Sequence, residues 1–179
     1  MKAQIIPLAL MLIFFYGCSD EDRADVSRTE RLYDSVMSMP DISIFRDENL
    51  FASAQSIGLY QNSGKDIYLI GDLVSTFYDE DGNAMSTLYA DTGRINEKKY
   101  NMLATGDVKL ESVNGDALFT NELLWNNNDG TVSSNDTVLI ISEKGDSLSG
   151  IGFESDLDLK NIVFIRNTSG VYNDRAPSE

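Results

Sequence analysis

Residues 106–111, Gly-Asp-Val-Lys-Leu-Glu, alternate apolar and polar side chains and are followed, two residues later, by the pair Asn114-Gly115. In a β-strand, this alternation places Val108 and Leu110 on one face and leaves the residues between them in solvent. Asn-Gly supplies the positive φ angles that a tight hairpin turn requires. The stretch therefore predicts a half-buried antiparallel strand that ends in a hairpin.

The same unit recurs along the chain. Segment 88–117 aligns with segment 118–147, so that Val108 falls on Val138 and Leu110 on Ile140, while segment 148–177 matches weakly. A single hairpin cannot bury its apolar face, and a repeat of this kind predicts hairpins stacked on one another. Regular turn signals support this all-β, two-sheet roll: Asn62-Ser63-Gly64, Asp81-Gly82, Asn114-Gly115, Asp129-Gly130 and Gly145-Asp146.

The first residues are typical of a lipoprotein signal. Lys2 precedes an apolar run over 5–16 that is too short to span a bilayer and closes on Gly17-Cys18. We predict a signal peptide over 1–17 and lipidation of Cys18; an ordinary signal peptide or a short membrane anchor is the alternative. A tether over 18–40, whose apolar spacing allows a short helix, then leads to a roll over 41–172 and a flexible tail over 173–179.

Composition restricts the function. The net charge is −15, which disfavours nucleic acid as a partner, and the chain has no histidine, the commonest general base and zinc ligand. We expect no enzyme, cofactor or metal site. Residues 78–83, Tyr-Asp-Glu-Asp-Gly-Asn, hint at a calcium loop but fit a hairpin turn better, because the EF-hand spacing is not met. A carbohydrate-active enzyme would require two carboxylates about 5 to 10 Å apart in a polar cleft.

Five ordered blocks resemble the LptC family, particularly its lipoprotein branch. They lie at residues 77–82, 88–91, 104–108, 115–125 and 150–156, and they include Ala-Thr-Gly-Asp-Val and Gly-Ile-Gly-Phe-Glu-Ser-Asp. The resemblance implies the twisted, slightly open β-jelly roll that this family shares with the soluble bridge protein LptA. The lipidated Cys18 replaces the transmembrane helix of the best-known members.

The same resemblance implies a function in lipopolysaccharide export. An inner-membrane ABC transporter would hand lipopolysaccharide to the roll, which would pass it to an LptA-like bridge protein. The protein would be anchored by lipid at the periplasmic face of the inner membrane, in preference to the outer membrane or the cell surface. The alternative is a surface-exposed lipoprotein that binds glycans or cells, indicated by the stretch Ser19-Asp20-Glu21-Asp22, with its three acidic residues just after the anchor.

The predicted binding sites rest on the strand pattern and on the family resemblance. The acyl chains of lipid A are expected in a groove lined by Val108, Leu110, Leu118, Leu123, Trp125, Val138, Ile140 and Phe153. Partners are expected at exposed strand edges, where unpaired backbone groups can accept another strand. The early strands, with Ile42 and Ile44, would face the transporter, and the late ones, with Ile162 and Phe164, would face the bridge protein.

Overall fold

Antiparallel β-hairpins account for the fold of the chain. The computed structural model describes residues 33–46 and 48–172, so the predicted signal peptide, Cys18, most of the tether and the tail lie outside the described residues. The strands are β1 (Ser35–Ser38), β2 (Asp41–Arg46), β3 (Asn49–Gln55), β4 (Gly58–Gln61), β5 (Ile67–Tyr78), β6 (Ala84–Ile95), β7 (Met102–Ser112), β8 (Ala117–Asn126), β9 (Thr131–Ile141), β10 (Ser147–Asp156) and β11 (Val163–Val171). The predicted all-β class is confirmed.

One open sheet contains all of these strands. Its order is β1-β4-β5-β6-β7-β8-β9-β10-β11, and the β2–β3 hairpin joins it through pairing of β3 with β5. Residues 67–70 of β5 pair with β4, whereas residues 74–77 pair with β3. One side of the sheet therefore ends in two short edge strands, β1 and β2, and the other side ends in β11.

The predicted turns lie where the chain reverses. Each of the five turn signals connects two consecutive strands between β4 and β10. Gly82 and Gly115 have φ angles of 82° and 90°, a region that glycine adopts without steric penalty. The 78–83 stretch is a hairpin turn in which Asp79 Oδ1 accepts hydrogen bonds from the backbone N–H groups of Asp81 and Asn83, at 3.0 and 2.8 Å.

Register shifts bend the long strands near their middles. They fall between Ile70 and Leu73, Tyr89 and Thr92, Thr105 and Val108, and Ile151 and Phe153. Such bulges bend a strand and increase its twist. They divide the sheet into two parts: layer A, with residues 67–70, 92–95, 102–105 and 122–126, and layer B, with residues 73–78, 84–90, 108–112, 117–120 and 137–141.

The two layers pack face to face. Phe77 of layer B and Trp125 of layer A lie on strands that are not neighbours, yet their ring centroids are 5.0 Å apart. The interior between the layers contains the buried apolar side chains, including Leu69, Leu88 and Leu110. This arrangement matches the twisted, open roll expected from the sequence.

The sheet begins earlier than the predicted domain boundary at Asp41. Residues Ser35–Ser38, which were assigned to the tether, form β1 and pair with Gly58–Gln61 of β4. The described end of the tether is therefore extended, not helical. In the part of the chain that the structure describes, no helix is long and apolar enough to cross a membrane.

Candidate functional site

The predicted groove residues all lie in the interior of the roll. Sheet pairing places their side chains between the two layers, and each belongs to the buried core: Val108, Leu110, Leu118, Leu123, Trp125, Val138, Ile140 and Phe153. The fully apolar run 138–141 has a defined register, because Ile140 is 5% exposed whereas Leu139 and Ile141 are 39% and 36% exposed. Whether lipid contacts these residues stays a prediction.

The middle of this interior is filled by its own side chains. Leu110, Leu118 and Leu123 are 0% exposed, so other protein atoms cover their surfaces. Close packing of this kind leaves little room for a guest molecule. An acyl chain can contact these residues only when the two layers move apart.

Apolar recesses lie at both ends of the strand order. One, of about 380 Å³, lies beside β11 and is lined by Ile140, Leu148, Ile162 and Val171 among others. The other, of about 220 Å³, lies beside β2 and is lined by residues that include Ile42, Ile44, Ile67 and Ile95. The first is within the usual volume range of small-ligand pockets, about 300–1,000 Å³. The interior is therefore accessible at its ends and packed in the middle.

The predicted docking residues have their side chains on the inner side of the edges. Ile42 and Ile44 of β2 are half-buried against the core, as are Ile162 and Phe164. The Phe164 ring lies over Gly150 and is 5.7 Å from the Phe153 ring, centroid to centroid. These four residues lie at or next to the two free edges, and their side chains pack against the core. Their contact with partners stays a prediction.

The same edges also carry exposed apolar residues that were not predicted from the sequence. Val36 and Met37 of β1 are 43% and 50% exposed, and Val163 and Ile165 of β11 are 60% and 69% exposed. The run 162–165, Ile-Val-Phe-Ile, is apolar on both faces, so alternation could not assign its inner and outer side chains. These residues give each edge an apolar outer surface.

One side of the interior is closed by a contact that no local pattern predicted. The Arg46 guanidinium lies 3.7 Å from the centroid of the Phe51 ring, and Phe51 stacks on Trp125 at 5.8 Å. Arg46 also donates to the backbone carbonyl of Asn127 and, at 3.1 Å, to its side-chain oxygen. Since Arg46 ends β2 and Asn127 lies in the β8–β9 turn, this contact joins the two layers.

Two buried polar atoms in the interior have no hydrogen-bond partner in the described part of the chain: Trp125 Nε1 and Ser86 Oγ. A buried donor without a partner destabilises a fold by about 1–3 kcal/mol. Most buried polar groups are therefore paired, and unpaired ones call for a physical explanation.

Acidic residues flank the recesses. Asp116 and Asp146 line the recess beside β11, and Asp79 and Glu80 line a third recess next to Arg46 and Phe51. Hydrogen bonds from the backbone and side chain of Asn83 hold the pKa of Asp79 below its ordinary value, so this carboxylate stays charged. The recess beside β11 therefore combines apolar walls with a negatively charged rim, the third recess has Arg46 as well as carboxylates, and the residues that line the recess beside β2 are uncharged.

Together, these features define a class: open antiparallel β-rolls with an apolar interior that is accessible at its ends. Within that class, the chain belongs to the family described as lipopolysaccharide-assembly, LptC-related, which matches residues 4–173. The family resemblance of the sequence blocks is thereby confirmed. No curated protein matches the chain.

A solved structure has the same fold. The crystal structure of LptH from Pseudomonas aeruginosa superimposes with a TM-score of 0.57, covering 68% of this chain and 94% of LptH at 13% sequence identity. LptH is described as the LptA homologous periplasmic component of a conserved lipopolysaccharide transport device. At this identity, the likeness concerns the fold, and it agrees with the LptA-like architecture expected from the sequence.

Proposed function

We propose that this protein is a non-enzymatic, lipid-binding component of lipopolysaccharide export. It receives lipopolysaccharide from an inner-membrane ABC transporter and passes it to an LptA-like periplasmic bridge protein. The single observation that carries the proposal is the apolar interior between two layers, with recesses at both ends, in a member of a lipopolysaccharide-assembly family.

The chemistry of the interior suits acyl chains. Its walls are aliphatic and aromatic, and burying a chain of about twelve methylenes stabilises a complex by on the order of 10 kcal/mol, at about 0.8 kcal/mol per CH₂. The sugars and phosphates remain in water outside the roll. Because the acidic rim of the recess beside β11 repels phosphates, divalent cations or basic side chains of a partner would have to offset that repulsion there.

The open seam of the sheet supports a mechanism of entry. Among the described strands, none pairs β1 or β2 with β11, so the layers can separate along that seam without loss of strand pairing. The bulges between the layers act as the hinge, and the Arg46–Asn127 contact is the interaction that must break first. Opening the packed middle requires work, and the transporter supplies it.

The free edges provide the partner surfaces. Unpaired backbone groups of β1 and β2, with Ile42 and Ile44 behind them, would dock on the transporter. The β11 edge, with Ile162 and Phe164, would pair with the bridge protein and continue the interior into the next roll. A lipid on Cys18 would hold the protein at the periplasmic face of the inner membrane.

Co-purification tests the proposal. The tagged full-length chain is extracted from native membranes in a mild detergent, and the eluate is analysed for proteins and for lipopolysaccharide. We expect an ABC transporter and lipopolysaccharide to accompany the chain. An eluate that contains neither would overturn the proposal.

Protease treatment of intact cells separates the proposed export function from the alternative of a surface lipoprotein. An export component is protected by the outer membrane and stays intact until that membrane is permeabilised. Cleavage in intact cells would instead favour the surface protein that binds glycans or cells.

A further inference from the structure

The two unpaired buried polar groups lie next to the same aromatic ring. Ser86 is the cross-strand partner of Phe77 in the β5–β6 pairing, and the Trp125 ring lies 5.0 Å from the Phe77 ring. Trp125 is 1% exposed and Ser86 is 0% exposed, so neither group reaches bulk water. Two hydrogen-bonding groups therefore flank Phe77 in an otherwise apolar part of the interior.

The surroundings of these groups restrict what they can bind. An indole N–H can only donate a hydrogen bond, and a serine hydroxyl can donate one as well. The neighbouring side chains, Phe77, Phe51 and Met102, are apolar, and the Arg46 guanidinium, which lies on Phe51, already donates to Asn127. A buried phosphate or carboxylate would therefore be strongly disfavoured, whereas an uncharged carbonyl oxygen would satisfy the donors.

We propose that Trp125 Nε1 and Ser86 Oγ form a binding site for the carbonyl oxygen of a fatty-acyl ester or amide. This inference rests on the proposed function and specifies which part of the lipid is recognised. The carbonyl marks the point at which an acyl chain joins its sugar, so this site would fix how deeply the chain enters the roll. Phe51 stacks on Trp125 and Arg46 lies over Phe51, so the β2–β3 hairpin that carries these two residues must move to admit the lipid.

A matched pair of small lipids tests the site. 1-Dodecanoylglycerol and 1-O-dodecylglycerol have the same alkyl chain length and headgroup, and only the first carries a carbonyl. Calorimetric titration of the purified full-length chain, below the aggregation concentration of each lipid, should give about fivefold tighter binding of the ester, the equivalent of one net hydrogen bond. Trp125→Phe and Ser86→Ala should each reduce this preference, measured as the ratio of the two affinities.

Two further measurements complete the test. Trp125 is the one tryptophan of the chain, so the fluorescence of the wild-type protein reports on this site alone and does not depend on how the variants fold. Its emission should shift to longer wavelength with the ester and not with the ether. Tyr89→Phe, which removes a hydroxyl from the outer face, should alter neither affinity.

The outcomes separate the two proposals. Equal affinities of the wild-type protein for ester and ether, with the same emission for both complexes, would overturn the carbonyl site and leave lipid carriage intact. Failure of both lipids, and of lipopolysaccharide itself, to bind would overturn lipid carriage and the carbonyl site with it.

Discussion

The indole ring of Trp125 lies 5.0 Å from the phenyl ring of Phe77, although the two residues occupy β8 and β5, which are separated by β6 and β7 in the sheet. The contact exists because bulges fold the sheet onto itself. It joins the ends of β5 and β8, which belong to different layers, through two of the largest fully buried side chains. We therefore expect the stability of the roll to depend on this contact.

Removal of either ring should therefore destabilise the roll strongly. We expect Phe77→Ala and Trp125→Ala each to lower the free energy of unfolding by about 3–5 kcal/mol, because a large cavity remains between the layers. Urea unfolding followed by circular dichroism measures the change. Phe45→Ala is the matched control, since Phe45 is 63% exposed, and it should change stability by less than about 1 kcal/mol.

The bulges can be tested at a single glycine. Gly106 has a φ of 82°, and a Cβ at this position would collide with the Asp91 carboxylate. Gly82 has the same φ of 82° and open space around it. Gly82→Ala should therefore lower the free energy of unfolding only by the cost of placing alanine at a positive φ, about 1 kcal/mol. We expect Gly106→Ala to lower the free energy of unfolding, measured by thermal and urea unfolding, clearly more than Gly82→Ala does. Equal losses for the two variants would show that the bulge tolerates a side chain.

The contact of Arg46 with Phe51 and Asn127 should control access to Trp125. In Arg46→Ala, the stacking on Phe51 and the hydrogen bonds to Asn127 are lost, and the layers separate more easily. Acrylamide quenching of the tryptophan fluorescence should increase. Arg94→Ala, which removes an exposed ion pair with Asp66 at 3.7 Å, provides the control and should leave quenching unchanged.

The β1 edge should loosen in acid. The Asp34 carboxylate accepts a hydrogen bond from the Ser63 backbone N–H at 2.7 Å, and this bond holds the pKa of Asp34 below its ordinary value of 3.8. Because the folded-state pKa is depressed, the contribution to stability is fully present above pH 3.8 and is lost as the pH falls through the lower folded value. Amide exchange of Ser63 and of β1 should accelerate over that range. In Asp34→Asn, the same acceleration should be present already at neutral pH.

Local patterns were sufficient to predict much of the fold. Alternation assigned Val108 and Leu110 to the interior, and the Asn-Gly and Asp-Gly pairs located the hairpins, because both signals depend on neighbouring residues alone. The repeat aligns Val138 with Val108 and Ile140 with Leu110, and both are buried, although periodicity could not assign the faces of the apolar run 138–141. Leu123, Trp125 and Phe153, which were predicted from their size, also lie in the interior.

Relationships between distant residues could not be read in this way. Arg46 meets Asn127 only because the sheet folds back, and nothing near either residue signals the contact. The packed middle of the interior is another such property, since strand patterns show which side chains face inward but not the distance between the layers. The short strand β1 was missed because its charged and polar neighbours suggested a tether.

The most direct test of lipid carriage uses three consecutive residues of β9. Ile140 faces the interior beside the recess near β11, whereas Leu139 and Ile141 face outward from the same strand. A photo-crosslinking amino acid is placed at each position in growing cells, with Lys109 as a further outer-face control, and the captured lipopolysaccharide is measured. We predict capture at residue 140 and at the neighbouring lining residues Leu148 and Ile162, and background levels at 139, 141 and 109. Equal capture on the two faces, or capture on the outer face alone, would contradict transport of lipid through the interior of the roll.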